Sequence, residues 1–192
     1  MNASTAPIEK ARLRAEMIRR RDAIAPGERT RLAQALARAL AALPQYGAAR
    51  SVLATMSIGS EWNTRAFLDR ALADGKQVVL PRVAGPAPRR LRLHAVSDLD
   101  RDLVPGVWEI PEPDPARCPE VALAGVDFAW VPALAVDRSG YRLGYGAGYF
   151  DKLLAGRGSR PYCVVALPAA FLVEGLPHEP HDVPVDLVLP PP

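Results

Sequence analysis

Short apolar segments alternate with amphipathic ones along this chain, and that alternation limits the possible folds more than any other feature. Helical spacing of apolar residues is found at 8–24, 28–42, 64–73 and 149–155. Apolar runs typical of buried strands lie at 51–57, 77–80, 91–96, 126–133, 162–167 and 185–189. Interleaved helices and strands predict an α/β sandwich with a largely parallel sheet.

The connecting segments indicate where a ligand would bind. Residues 84–90 and 100–120 are rich in proline and are predicted to be loops. At 192 residues the chain is expected to form a single domain over 1–192. Ligands of parallel sheets gather at the carboxyl ends of the strands. The segments after Met56, after Pro132 and before Val185 are therefore expected to share one crevice.

Composition narrows the possible partners. The net charge is +3, and arginines cluster near the N-terminus, which is compatible with nucleic-acid binding. Acidic residues are interspersed there, so a solvated helix is the preferred interpretation, and no nucleic-acid partner is expected. No apolar run approaches the roughly 20 residues of a membrane span, and no signal peptide is recognisable. Cys118 and Cys163 lack metal-like spacing and indicate a reduced, cytoplasmic protein.

Residues 131–154 hold the strongest local pattern. An apolar run ends at Asp137, a turn follows, and glycines then alternate at Gly144, Gly146 and Gly148 before a short amphipathic segment. Alternating glycines let backbone N–H groups converge without obstruction by Cβ atoms, as phosphate binding requires. The start of the following helix adds a favourable dipole for an anion. The alternative is an ordinary glycine-rich turn between a strand and a helix.

Charged residues around this run extend the phosphate hypothesis. Arg142 and Lys152 supply positive charge, and Asp151 offers an oxygen ligand for a divalent cation. Asp182 adds a second carboxylate, and two such groups beside phosphates suit Mg²⁺. Alone, Asp151 would be read as an acid in the first turn of a helix.

Other candidates are weaker when taken singly. Glu61 follows a predicted strand and could bind a heterocycle, although an exposed loop glutamate is the simpler interpretation. Lys10 and Arg14 are four residues apart and could meet one anion on a helix face, or simply be solvated. His178 and His181 flank Pro180 without a third ligand, so zinc is not expected. A dinucleotide site is also disfavoured, because the glycine spacing is wrong and no acid follows at the required distance.

Taken together, these residues resemble the signature of the 5-formyltetrahydrofolate cyclo-ligases, also called methenyltetrahydrofolate synthetases. The positions that fit the glycine signature are Pro132, Leu134, Ala135, Asp137, Gly140, Arg142, Leu143, Gly144, Gly146, Gly148, Tyr149 and Asp151. Further matches, in the same order along the chain, are Lys10, Leu13, Arg14, Glu61, Thr64, the segment 110–113, His181, Asp182, Val185 and Asp186. The resemblance covers nearly the whole length.

The resemblance implies a three-layer α/β/α sandwich and an ATP- and Mg²⁺-dependent enzyme. Its reaction would convert 5-formyltetrahydrofolate to 5,10-methenyltetrahydrofolate with release of ADP and phosphate. The formyl oxygen attacks the γ-phosphate, N10 then attacks the activated carbon, and phosphate leaves as the ring closes. Positioning and charge neutralisation would dominate catalysis, as in phosphoryl transfer generally. The expected partners are ATP and a reduced folate, and the expected state is a monomer or weak dimer.

The resemblance also implies roles for individual residues. The ATP-binding residues would be Lys10, Arg14, Arg142, Leu143, Gly144, Tyr145, Gly146, Ala147, Gly148, Tyr149 and Phe150. The folate-binding residues would be Met56, Glu61, Tyr145, Gly146, Ala147, Gly148 and Tyr149. Arg142 and Tyr149 would be the catalytic residues. Asp151 and Asp182 would hold Mg²⁺.

Three positions depart from the family signature: Tyr145 replaces an arginine, Ala147 a glycine and Phe150 a tyrosine. Ala147 is harmless only if its φ is negative. Tyr145 removes a charge expected beside the γ-phosphate, so Tyr145→Arg is predicted to raise turnover. It also motivates an alternative function, a folate- or nucleotide-binding protein of the same fold with weak or no turnover.

Overall fold

The structure is a computed structural model that describes residues 6–85 and 90–189. The helices are α1 (Ala6–Asp22), α2 (Pro26–Ala41), α3 (Pro44–Ala48), α4 (Arg65–Ala73) and α5 (Tyr149–Leu154). The first six strands are β1 (Ser51–Leu53), β2 (Gln77–Val83), β3 (Leu91–Val96), β4 (Leu103–Pro105), β5 (Pro111–Pro113) and β6 (Glu120–Val121). The remaining strands are β7 (Phe128–Trp130), β8 (Ala135–Asp137), β9 (Arg142–Leu143), β10 (Tyr162–Ala166), β11 (Leu172–Val173) and β12 (Leu187–Leu189).

Within the described residues, seven strands form the central sheet in the order β12-β10-β7-β1-β2-β3-β6. The pairs from β12 to β2 are parallel, whereas β2–β3 and β3–β6 are antiparallel. The predicted class, a three-layer α/β/α sandwich around a largely parallel sheet, is confirmed. β1 and β7 are buried along their whole length. Apart from Ser51, their residues are apolar, as expected for strands that are covered on both faces.

Aromatic rings form a large part of the core beside the sheet. Phe67 of α4 lies 5.4 Å from Trp130 and 6.3 Å from Phe128, measured between ring centroids. Tyr46 of α3 packs edge-on against Phe128 at 5.9 Å. Trp62 packs edge-on against Phe171 at 5.2 Å and is buried. These contacts anchor the segment that follows β1.

Some strands are shorter than predicted, and some short strands were not predicted at all. The predicted strand 51–57 is regular only as β1, because the chain leaves the ladder from Thr55 onwards, where Thr55 and Met56 line a cavity. The predicted loop 100–120 contains β4, β5 and part of β6. Its prolines suggested a loop, but pairing across the β4–β5 hairpin is a tertiary property that local sequence does not show. Residues 86–89 of the predicted loop 84–90 lie outside the described residues.

The β4–β5 segment is fixed to the body of the protein at its N-terminal end. The Asp102 carboxylate accepts hydrogen bonds from the Ser97 hydroxyl at 2.8 Å and from the Ser97 and Asp98 N–H groups at 3.0 Å. These bonds, led by the Ser97 hydroxyl, hold the pKa of Asp102 at about 2. The hairpin that begins at Leu103 is therefore firmly placed beside the cavity.

A small sheet, β11-β8-β9, positions the glycine run. Gly140 lies in the β8–β9 turn with φ +84°, and a Cβ there would approach the Val185 carbonyl oxygen to 2.7 Å. The Val185 N–H donates to the Gly140 carbonyl at 3.0 Å. This close approach brings the segment around Asp182 next to β9. Across the described residues, every helix is too short or too polar to cross a bilayer.

Candidate active site

A cavity of about 660 Å³ opens beyond the carboxyl ends of β1 and β7. Met56, Pro132 and Asp182 all line it, so the three segments expected to share a crevice do so. The lining also includes every residue given a binding or catalytic role from the sequence: Lys10, Arg14, Met56, Glu61, Arg142, Leu143, Gly144, Tyr145, Gly146, Ala147, Gly148, Tyr149, Phe150, Asp151 and Asp182. Residues distant in sequence thus converge on one site.

The glycine run passes the cavity in a conformation that its glycines permit. Gly146 and Gly148 have φ values of +97° and +68°, in the left-handed region that favours glycine. Ala147 lies between them without a positive φ, so the departure from glycine there costs no backbone strain. A Cβ at Gly146 would come within 3.3 Å of Arg14 Cζ. The missing side chain at Gly146 therefore lets α1 approach the run.

Arg14 and Lys10 bring the N-terminal helix to the cavity. Arg14 Nε donates to the Gly144 carbonyl at 2.9 Å. Lys10 Nζ donates to Asp182 Oδ2 at 2.6 Å and lies 3.4 Å from Glu179 Oε2. Burial opposes ionisation of Asp182, but its bonds to Lys10 and to the Glu179 N–H leave its pKa below the usual range. This part of the cavity therefore holds positive and negative side chains that form ion pairs.

Arg142 and Asp151 form a second ion pair at the same end of the cavity. Arg142 Nη2 donates to Asp151 Oδ1 at 2.8 Å, and its Nη1 donates to the Val183 carbonyl. The Val183 N–H in turn lies 3.3 Å from Asp151 Oδ1. Only 3% of the Arg142 side chain is exposed, and this burial lowers its pKa. Arg142 therefore joins the glycine run to the segment beside Asp182, and its role towards phosphate stays a prediction.

A different set of contacts lies at the Glu61 end. Glu61 Oε2 accepts from the Ile58 N–H at 3.0 Å, which holds the carboxylate in its loop. The Tyr145 hydroxyl accepts from Arg21 Nη1 at 2.8 Å. Burial and the nearby Glu61 carboxylate raise the pKa of Tyr145, and Arg21 partly opposes them. The Tyr145 hydroxyl is thus bonded to Arg21, and Glu61 lines the same part of the cavity.

Two residues were not given a role by the sequence analysis: Trp108, which lines this cavity, and Arg21, which lines a smaller pocket shared with Glu61 and Tyr145. Arg21, one of many N-terminal arginines, carried no distinguishing pattern. Trp108 is 64% exposed at the cavity and lies edge-on to Tyr149, with 6.4 Å between ring centroids. Trp108 and Glu109 have positive φ values of 58° and 62°, which no sequence signal indicates. Only the tertiary structure brings these residues to the site.

Comparisons with known proteins show which family this chain resembles in sequence and in fold. Residues 7–191 match the model of the 5-formyltetrahydrofolate cyclo-ligase family. A 5-formyltetrahydrofolate cyclo-ligase of Mycolicibacterium smegmatis is 34% identical over 186 residues, covering 96% of this chain and 95% of the relative. That of Mus musculus is 29% identical over 196 residues, covering 98% and 97%. The solved 5,10-methenyltetrahydrofolate synthetase of Aquifex aeolicus superposes with a TM-score of 0.80 at 30% identity, covering 93% and 88%.

Proposed function

Because the chain belongs to the 5-formyltetrahydrofolate cyclo-ligase family and is an enzyme, we propose that it uses ATP to convert 5-formyltetrahydrofolate to 5,10-methenyltetrahydrofolate. ADP and phosphate are the other products. The observation that carries this proposal is the single cavity whose lining includes all the residues assigned to ATP, folate and Mg²⁺. A reaction between two substrates requires that both bind side by side.

The nucleotide end is assigned to the basic residues and the glycine run. Lys10 and Arg14 contact the ATP phosphates, together with Arg142, Leu143 and the backbone from Gly144 to Phe150. The left-handed glycines at 146 and 148 support this assignment, because they leave the backbone accessible to phosphate oxygens.

The folate end is assigned to Met56, Glu61 and the residues from 145 to 149. The Glu61 carboxylate is an acceptor that suits the N–H groups of a pterin ring. With both substrates bound, the formyl oxygen attacks the γ-phosphate and ADP leaves. N10 then attacks the activated carbon, which releases phosphate and closes the ring. Arg142 and Tyr149 are the proposed catalytic residues, and they act by positioning and neutralising charge.

The residues present fit Mg²⁺. Asp151 and Asp182 supply hard carboxylate oxygens from adjacent segments, both side chains being partly exposed to the cavity. Within residues 6–85 and 90–189, no group of three or more histidine, cysteine or acidic residues could hold a metal. Two protein carboxylates suit an ion that keeps several waters and binds substrate phosphates. When bound, Mg²⁺ would neutralise charge on the phosphates.

The proposed setting is the cytoplasm. Cys118 and Cys163 are both free and buried, which fits a reducing compartment. We propose that the protein acts as a monomer or weak dimer on ATP and a reduced folate, without nucleic acid or membrane partners.

The proposal is tested by measuring whether ADP release depends on the folate. Purified protein is incubated with Mg-ATP in the presence and absence of 5-formyltetrahydrofolate. We expect ADP and phosphate to appear in equal amounts only when the folate is present. Release of ADP that is indifferent to the folate would refute the coupling and leave an ATPase on this scaffold.

A further inference from the structure

Arg21 of α1 is a buried cation whose hydrogen-bond acceptors are neutral hydroxyls. It is 6% exposed. Its Nε donates to the Ser60 hydroxyl at 3.0 Å and its Nη1 to the Tyr145 hydroxyl at 2.8 Å. Its guanidinium carbon lies 5.8 Å from the centre of the Tyr145 ring. No acidic side chain among the described residues forms an ion pair with it. A buried charge without an opposite charge is costly, so this arrangement calls for a functional reason.

Each hydroxyl bonded to Arg21 also faces a carboxylate. The Ser60 hydroxyl donates to Asp22, and Tyr145 and Glu61 line one small pocket together with Arg21. Both Tyr145 and Glu61 line the cavity. Arg21 therefore acts on the acid of the folate end through one intervening hydroxyl rather than by direct contact.

The direction of the hydrogen bonds follows from the chemistry of the groups. A guanidinium has donors only, so the Tyr145 oxygen must accept from Arg21. The single phenol proton then points away from Arg21, and the Glu61 carboxylate is an acceptor that lines the same pocket. Burial and the Glu61 charge raise the pKa of Tyr145, so the phenol keeps this proton at neutral pH. The Ile58 N–H fixes Glu61 Oε2 at 3.0 Å in its own loop.

We propose that Arg21 is a positioning residue for the folate: acting through the Tyr145 hydroxyl, it holds Tyr145 and Glu61 as one rigid wall. This inference rests on the proposed function, because it assumes that Glu61 accepts from the pterin ring. The wall aims the carboxylate at the ligand and removes side-chain freedom that binding would otherwise have to restrict. Arg21 itself contacts neither substrate.

Three variants test the wall by steady-state kinetics. Tyr145→Phe keeps the ring and removes the hydroxyl, and it alters a residue that is 50% exposed, so the fold should tolerate it. Arg21→Lys keeps the charge but loses the two-armed donor. Each is expected to raise the KM for 5-formyltetrahydrofolate roughly tenfold and to leave the KM for ATP unchanged. The folate KM of the double variant should be no higher than that of the more impaired single variant, because both substitutions act through one hydroxyl.

The control is Arg19→Gln, which removes an exposed arginine from the same helix and should behave as wild type. An unchanged folate KM in Tyr145→Phe would overturn the inference. Additive losses in the double variant, or equal rises in both KM values with a lower melting temperature, would show a merely structural link. If wild type turns over, these outcomes concern Arg21 alone, whereas a folded wild type without turnover would refute the proposed function itself.

Discussion

The two carboxylates proposed to hold Mg²⁺ are each paired with a cation proposed to bind phosphate. Lys10 bonds to Asp182 at 2.6 Å and Arg142 to Asp151 at 2.8 Å. ATP alone would draw the cations from their partners and leave two partly buried carboxylates without an opposite charge. Mg²⁺ alone would draw the carboxylates from their partners and leave Lys10 and Arg142 without an opposite charge. Only the two ligands together replace both halves of each ion pair.

Binding of ATP and Mg²⁺ is therefore expected to be strongly cooperative. We predict that Mg-ATP raises the melting temperature by more than the summed effects of ATP with a chelator and of Mg²⁺ alone. At about 100 times the dissociation constant, Mg-ATP should add roughly 2.7 kcal/mol of stability. The measurement is thermal unfolding under the three conditions. If ATP with a chelator raised the melting temperature as much as Mg-ATP does, the proposed exchange of ion-pair partners would be contradicted.

Glu61 is expected to contribute to binding of the folate and not of the nucleotide. Glu61→Gln replaces an acceptor pair with one acceptor and one donor, which would face an N–H of the ring. We predict that 5-formyltetrahydrofolate binds roughly tenfold or more weakly, whereas Mg-ATP binds as before. Titration calorimetry with each ligand measures this, and Glu174→Gln, an exposed glutamate outside the cavity lining, is the control. Equal weakening for both ligands would indicate a structural role.

Position 145 is the place where the structure changes an expectation from the sequence. The sequence alone predicted that Tyr145→Arg raises turnover, since it would add charge beside the γ-phosphate. The structure places Arg21 Nη1 2.8 Å from the Tyr145 hydroxyl. A second guanidinium there would meet a like charge in a partly buried site, at a cost on the order of 1–3 kcal/mol.

We now predict that Tyr145→Arg lowers kcat/KM for the folate by about tenfold. Kinetics at saturating ATP measure the effect, and Tyr145→Phe separates loss of the hydroxyl from added charge. Turnover above wild type in Tyr145→Arg would support the earlier expectation and place this position beside the transferred phosphoryl group.

Short elements, rather than long ones, decide the geometry of the site. The β8–β9 hairpin and its Gly140 turn bring the segment after Asp182 against the glycine run. The sequence indicated the glycine run through its spacing. It did not indicate the Val185 contact, which joins segments that are distant in sequence. Nor did it indicate β9, because a two-residue strand is too short to show a pattern of its own. The β4–β5 hairpin, which carries Trp108 to the cavity, was hidden for the same reason.

Gly140→Ala should damage this arrangement. Alanine would have to adopt φ +84° and would place its Cβ 2.7 Å from the Val185 carbonyl oxygen. We predict a loss of at least roughly 1–3 kcal/mol in the free energy of unfolding, together with weaker Mg-ATP binding. Gly125→Ala, where a Cβ has open space and φ is not positive, is the matched control. Equal stability of the two variants in denaturant titrations would contradict the proposed close approach.

For the whole molecule, long periodic segments were the most predictable part. α1, α2 and α4 appeared within two residues of their predicted ends. α2 and α4 each bury one apolar face, whereas Ile8 of α1 is exposed and that helix packs through Leu13 and Met17 instead. The parallel arrangement followed from alternation, although the antiparallel β3 and β6 at one edge did not. The convergence of Lys10, Glu61 and Asp182 on one cavity required the family resemblance, since no local pattern links them. That residues 1–192 form one domain stays a prediction.

The central claim is that this cavity joins ATP and a reduced folate in a ring closure. Formation of 5,10-methenyltetrahydrofolate, followed by its own absorbance, tests that claim most directly. With purified protein, Mg-ATP and 5-formyltetrahydrofolate, we predict one methenyl product for each ADP released, and none when ATP or Mg²⁺ is left out. A folded protein that binds Mg-ATP and 5-formyltetrahydrofolate but forms no methenyl product would contradict the account.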